Sequence, residues 1–180
     1  MRRAAAATLA ALFLLAAGGC GEERASSFPP PAAVLTADAT GYYCGMALVE
    51  HEGPKAQIFI DGRAEPFWFS QVRDAIHFTQ SEEEPRGVTA FYVTAEEKAD
   101  AVEPRWIPAS DAYYVIESRT RGAMGAPETV PFSSANDAAA FIAENGGDMV
   151  RLADIPDYYI LAPYTPGADE MEGEAHDASH

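Results

Sequence analysis

The chain is poor in cysteine and in positive charge. Two cysteines, Cys20 and Cys44, occur in 180 residues, too few for the disulfide frameworks that brace small secreted domains. Twelve lysines and arginines stand against 28 aspartates and glutamates, a net charge of −16. Such a surface repels phosphate backbones and argues against nucleic acid as a partner. It suits metal cations or a basic docking surface. Long apolar runs are also scarce. The clearest, residues 4–17, falls short of the roughly 20 residues that a membrane-spanning helix needs. What the chain does have is core material, with 48% hydrophobic and 11% aromatic residues, as a folded domain requires.

Arg2 and Arg3 precede the apolar run, and Gly18-Gly19-Cys20 closes it. A positive start, an apolar centre and a small-residue cleavage site make residues 1–19 a secretory signal peptide. The cysteine at the cleavage point resembles a bacterial lipobox, although Ala17 stands where leucine is usual. Diacyl and N-acyl groups on Cys20 would anchor the protein firmly to a membrane. Glu22, rather than aspartate, at the second mature position favours sorting to the outer membrane from the periplasm. With Cys20 joined to lipid, Cys44 has no intramolecular disulfide partner. A lone thiol in an oxidising compartment needs a reason to be kept, and a soft metal ion supplies one.

Residues 20–40 carry Ser26-Ser27 and Pro29-Pro30-Pro31 without a periodic apolar face. They read as a flexible lipoprotein tether, extended and semi-rigid where proline-rich, with the folded part starting near Thr40. Residues 164–180 are acidic, nearly devoid of bulky apolar side chains, and contain Met171, His176 and His180. Their composition is that of a disordered, solvated tail.

Between these ends a pattern recurs. Phe-Ser-x3-Asp-Ala-x2-Phe runs from Phe69 to Phe78 and again from Phe132 to Phe141. Ser70 and Ser133 are the expected N-caps, since a serine oxygen accepts from the free amides of a first helical turn. Val72, Ala75, Ile76 and Thr79, then Ala135, Ala138, Ala139 and Ile142, follow at helical spacing. Strand-like runs flank both helices: Gln57–Ile60, Pro66–Phe69 and Val88–Val93 in the first half, Ala112–Glu117, Thr129–Phe132 and Met149–Leu152 in the second. The reading is an α+β fold of two tandem ββαβ units, an internal duplication. The first unit covers 41–94 and the second 111–163. A polar link over 95–110, with Pro104 and Pro108, joins them.

The chemistry concentrates in sulfur. Gly41-Tyr42-Tyr43-Cys44-Gly45-Met46 sets a thiol and a thioether two residues apart. On a strand they share a face; in a turn about Gly45 both can address one ion. Soft sulfur ligands select Cu(I) over hard cations, whereas core packing is the alternative for a buried Cys-x-Met pair. A second methionine, Met124, sits in Arg121-Gly122-Ala123-Met124-Gly125-Ala126-Pro127. Its small neighbours offer nothing to pack it, which is unusual for a residue that fills cores. A site between the two units can use both Cys44 and Met124. His51, flanked by Glu50 and Glu52, is a further candidate ligand through its neutral imidazole. His77 lies within the first helix pattern and reads as structural or surface, and Met149 as core. Two other functions compete. One is a thiol enzyme with Cys44 as nucleophile and His51 or His77 as base, weakened by the want of a second cysteine for a redox cycle. The other is a docking lipoprotein with Cys44 buried.

The tether, the Gly-Tyr-Tyr-Cys-Gly-Met segment, Glu-His-x-Gly-Pro-Lys-x-Gln-Ile-Phe from Glu50, Pro-Phe-Trp-Phe-Ser-x-Val-Arg-Asp-Ala-Ile-x-Phe-Thr from Pro66, and Arg-x-Arg-Gly-x-Met-Gly-Ala-Pro-Glu from Arg119 together resemble the NosL family. The resemblance extends from the lipobox to about Pro163. It implies a non-enzymatic Cu(I) chaperone that helps assemble the copper–sulfide centre of nitrous oxide reductase in denitrification, together with a membrane ABC-type transporter complex. It also implies a duplicated ββαβ fold, similar in topology to organomercurial lyase. The family's cysteine falls on Cys44 and its glycine-loop methionine on Met124; Met46 matches the motif as well.

Overall fold

A computed structural model describes residues 29–98, 104–161 and 163. The expected signal peptide, Cys20 and the acidic tail over 164–180 lie outside the described residues. The fold is α+β, with two antiparallel sheets and their helices. In the first half β1 (Ala56–Ile60), β2 (Phe67–Phe69), α1 (Val72–Gln80) and β3 (Val88–Thr94) follow one another. In the second half come β5 (Tyr113–Ile116), β6 (Val130–Phe132), α2 (Ala135–Asn145) and β7 (Asp148–Val150). In each half the first strand is central, flanked by the other two: the orders are β2-β1-β3 and β6-β5-β7.

Several features depart from the sequence reading. The expected link over 95–110 holds a strand, β4 (Trp106–Pro108), which pairs with β3 and extends the first sheet to four strands. A short helix, α3 (Asp157–Leu161), packs back on α1 through Tyr159 and Ile160. Residues 29–40 are not wholly tether. Gln57 is buried on the face of β1 turned away from α1, and its amide bonds both the N–H and the C=O of Ala33. Tyr92 donates to the carbonyl of Pro30. The folded part therefore begins near residue 30, because this segment satisfies a buried polar side chain that would otherwise be costly. Met149, read as core, is exposed.

The helices follow their apolar stripes. Val72, Ala75, Ile76 and Phe78 are buried under α1, while Thr79 faces out and bonds the carbonyl of Ile76. In α2 Ala138 is buried with Phe141 and Ile142 against it, and Ala139 is exposed. The caps sit one residue later than Ser70 and Ser133. Ser134 caps α2 by accepting from the amide of Asp137 at 3.2 Å. Gln71 occupies the cap position of α1 and makes no side-chain cap bond.

Strand β5 joins the halves. Its alternating side chains split between two cores, as the period of two requires. Tyr114 and Ile116 enter the main core with Ile58, Phe69, Ile76 and Phe78, whereas Val115 packs with Val130, Phe132 and Ala138 beneath α2. The second sheet thus lies between α2 and the main core, to which both halves contribute side chains.

Candidate metal site

Cys44 lies in a tight turn that closes over Thr40–Ala47. Gly41 donates to the carbonyl of Met46, Gly45 donates to that of Gly41, and Thr40 and Ala47 form a bridge. Gly45 takes the left-handed conformation, φ +66°, which glycine reaches without a Cβ penalty. The turn settles the two geometries open for Cys44 and Met46: they flank Gly45 in a turn, not on a strand. A parallel bridge from Gly41 to Trp68 pins this turn to β2. Cys44 is half-buried and free, and its Sγ lies 3.5 Å from Ser70 Oγ. Gly41 lets the sulfur in: a Cβ there would stand only 2.4 Å from it.

The loop of Met124 approaches the start of α1 from the second half. Arg121 and Pro127 bridge the ends of its loop, and Gly122 donates to the carbonyl of Ala126. The amide of Met124 donates to Gln71 Oε1 at 3.0 Å. Ser70 and Gln71 are adjacent, so one dipeptide at the start of α1 touches the cysteine on one side and the methionine loop on the other. Met46 and Met124 are both exposed. His51 is half-buried beyond the 3-10 turn Leu48–Glu50, with Nε2 enclosed and lacking a hydrogen-bond partner. No hydrogen bond or ring contact joins it to Cys44, Met46 or Met124 among the described residues.

An acidic and aromatic wall stands beside the sulfur residues. Tyr42 and Tyr43 each donate to Glu84 at 2.8 Å, and Tyr43 Oη lies 3.3 Å from His77 Nδ1. Burial and the Glu84 contact raise Tyr43 above the usual phenol range. An open cleft of about 310 Å³ follows, lined by Tyr43, Asp74, His77, Ala126 and Ile160 among others. Burial also raises Asp74, despite the Gln71 Nε2 bond to its Oδ2 at 2.9 Å. Deeper still, Glu128 is fully enclosed. Its Oε1 accepts from the amides of Arg73, at 3.0 Å, and Thr129, at 2.7 Å. Burial pushes its carboxyl up to about 8.

Sequence reasoning assigned Ser70 to a cap and passed over Gln71, Tyr43 and Glu128. One signal was available: Glu128 closes the same short motif that contains Met124. Among the described residues no three His, Cys, Asp or Glu side chains converge as a metal site. Thiol and thioether together are a donor set suited to soft cations.

Comparison with known proteins places this arrangement in a family. The family model NosL matches residues 31–160. A copper-binding lipoprotein NosL from Achromobacter cycloclastes is 45% identical over 140 residues, covering 75% of this chain and 72% of its own. The crystal structure of the copper chaperone NosL from Shewanella denitrificans superposes with a TM-score of 0.64 at 29% identity, covering 71% of this chain and 98% of that one. From Pro31 through α3, then, the described fold and its sulfur-bearing turn are those of a protein that belongs to the NosL family.

Proposed function

We propose that this protein carries Cu(I) in the periplasm, holds it between Cys44 and Met124, and gives it up for assembly of the copper–sulfide centre of nitrous oxide reductase. The observation that carries the reading is the approach of the free Cys44 thiol to Ser70 and of the backbone amide of an exposed methionine, Met124, to the adjacent Gln71. The two relatives named as copper-binding proteins support the choice of metal. Loading joins copper to the Cys44 sulfur and releases the thiol proton to solvent. The Met124 thioether adds a weaker bond, and Met46, exposed two residues from Cys44, is the nearest third sulfur in sequence. A weak, exposed ligand is the one an incoming donor displaces first. Copper then passes ligand by ligand, without release as a free ion. A lipid on Cys20 holds the carrier at the membrane, within reach of an ABC-type transporter complex.

The test is a Cu(I) titration of the reduced soluble domain against a chromophoric chelator, repeated with Cys44→Ser and Met124→Ala. Cys44→Ser is expected to abolish tight binding and Met124→Ala to weaken it. Parent-like affinity in both variants sinks the proposed site. Delivery is read separately, as activation of copper-free reductase by the loaded carrier. Activation no better than by an equal amount of chelated copper removes the client assignment.

A further inference from the structure

The two sulfur ligands come from different halves of the chain, so something must set their separation. Helix α1 begins without a cap of its own. Gln71 holds the cap position and makes no side-chain cap bond, although free amides in a first turn require acceptors. The acceptor comes from 55 positions away: Glu128 Oε1 takes the amide of Arg73, the second residue of α1. The same oxygen takes the amide of Thr129, at the root of the Met124 loop. Gln71 is thereby free to point at that loop, where it receives the Met124 amide while its own NH2 donates to Asp74. Gly122 lies under both side chains. A Cβ there would stand 2.3 Å from Gln71 Oε1 and 2.8 Å from Glu128 Oε2. Helix α2 shows the cheaper solution, a local serine cap from Ser134. A buried acid is a poor way to gain stability, but it fixes one geometry across two segments.

We propose that Gln71 and Glu128 are positioning residues of the copper site, latching the Met124 loop to the first turn of α1 and so setting its thioether beside the Cys44 thiol. The inference rests on the assignment of Cys44 and Met124 as ligands. The latch acts through the backbone: Gln71 fixes Met124 itself, Glu128 fixes the loop's exit, and neighbouring Ser70 meets Cys44.

The experiment is a double-mutant cycle on the reduced soluble domain. Gln71→Ala and Glu128→Ala are each made alone and with Met124→Ala. Glu128→Gln, which keeps the accepting oxygen, is the conservative control. Cu(I) affinity is measured by chelator competition, and the number of sulfur neighbours by X-ray absorption. Removing residues that orient a ligand typically costs about 10–100-fold in metal affinity. That loss is expected for Gln71→Ala and Glu128→Ala, together with one fewer sulfur around copper, whereas Glu128→Gln retains parent affinity. In the Met124→Ala background neither substitution weakens binding further. Should Glu128→Ala fail to fold, Gln71→Ala decides alone. Parent affinity and sulfur count in folded Gln71→Ala overturn the latch. So does an equal loss with and without Met124, since the residues would then act on the fold at large. Parent-like binding by Met124→Ala alone fails the ligand assignment instead, and the two failures are distinguishable.

Discussion

Replacing Gly41 by alanine tests whether the turn presents the Cys44 sulfur in one fixed place. The backbone of Gly41 lies outside the left-handed region, so alanine meets no backbone penalty there. The obstacle is the sulfur, 2.4 Å from the new Cβ, where ordinary contact begins at 3.4 Å. The sulfur has to withdraw by about 1 Å, by rotating about χ1 or by pushing the turn from β2. Rotation ends the approach to Ser70 Oγ. Overpacking a closed site costs about 1–3 kcal/mol, an upper range here because Cys44 is only half-buried. On the proposed site the loss for copper is geometric, since a displaced thiolate would no longer share an ion with Met124. We expect Cu(I) affinity to fall at least tenfold, about 1.4 kcal/mol, with a smaller change in apo-protein stability. Gly45→Ala is the paired control. It puts a side chain at φ +66° with no atom within 4 Å, so it strains the turn by roughly 1–2 kcal/mol and leaves the sulfur in place. Chelator competition and thermal unfolding of both variants separate the effects. Unchanged affinity in Gly41→Ala, or equal losses in the two variants, refutes the reasoning.

Four further outcomes follow from the geometry. Burial raises Glu128 from 4.5 to about 8, so the unfolded chain ionises first; its contribution to stability is full below about pH 4.5 and is lost as pH rises to 8. Asp74, also raised by burial, acts in the same sense, and Glu128→Gln should flatten the decline in denaturant titrations across that range. Cu(I) affinity of the parent falls on acidification because protons compete with the metal for a thiolate ligand, and an affinity independent of pH speaks against Cys44 as ligand. His51→Gln leaves Cu(I) affinity at the parent value in the same competition assay, and a tenfold loss would place the imidazole at the metal. Phe78→Ala, a fully buried ring against Phe67, Phe69 and Tyr42, should cost about 3–5 kcal/mol by denaturant unfolding, and less than 1 kcal/mol would mean the core has collapsed around it.

Sequence by itself determined the elements with strong local signals. Apolar spacing placed both helices. The two ββαβ orders followed from the same pattern. Cys44, Met46 and Met124 stood out as candidates because sulfur in glycine-rich turns has no local packing reason to be there, and the fold leaves both methionines exposed. The α1 cap was misplaced, since Ser70 looks like a cap and is drawn instead toward Cys44.

Tertiary structure decided the rest. β4 and α3 are too short to show a period, and pairing with β3 and packing on α1 make them. The start of the fold at about residue 30 depends on Gln57, a glutamine whose burial no local pattern reveals. His51 matched the chemistry of a ligand, and among the described residues no hydrogen bond or ring contact joins it to Cys44, Met46 or Met124. Only the folded chain brings Ser70-Gln71 between Cys44 and Met124, and only there does Glu128, 55 residues from the amide it accepts, become the cap of α1. Ligand type is a property of side chains and can be read along the chain; ligand separation is set by hydrogen bonds between distant segments, which residue order alone does not fix.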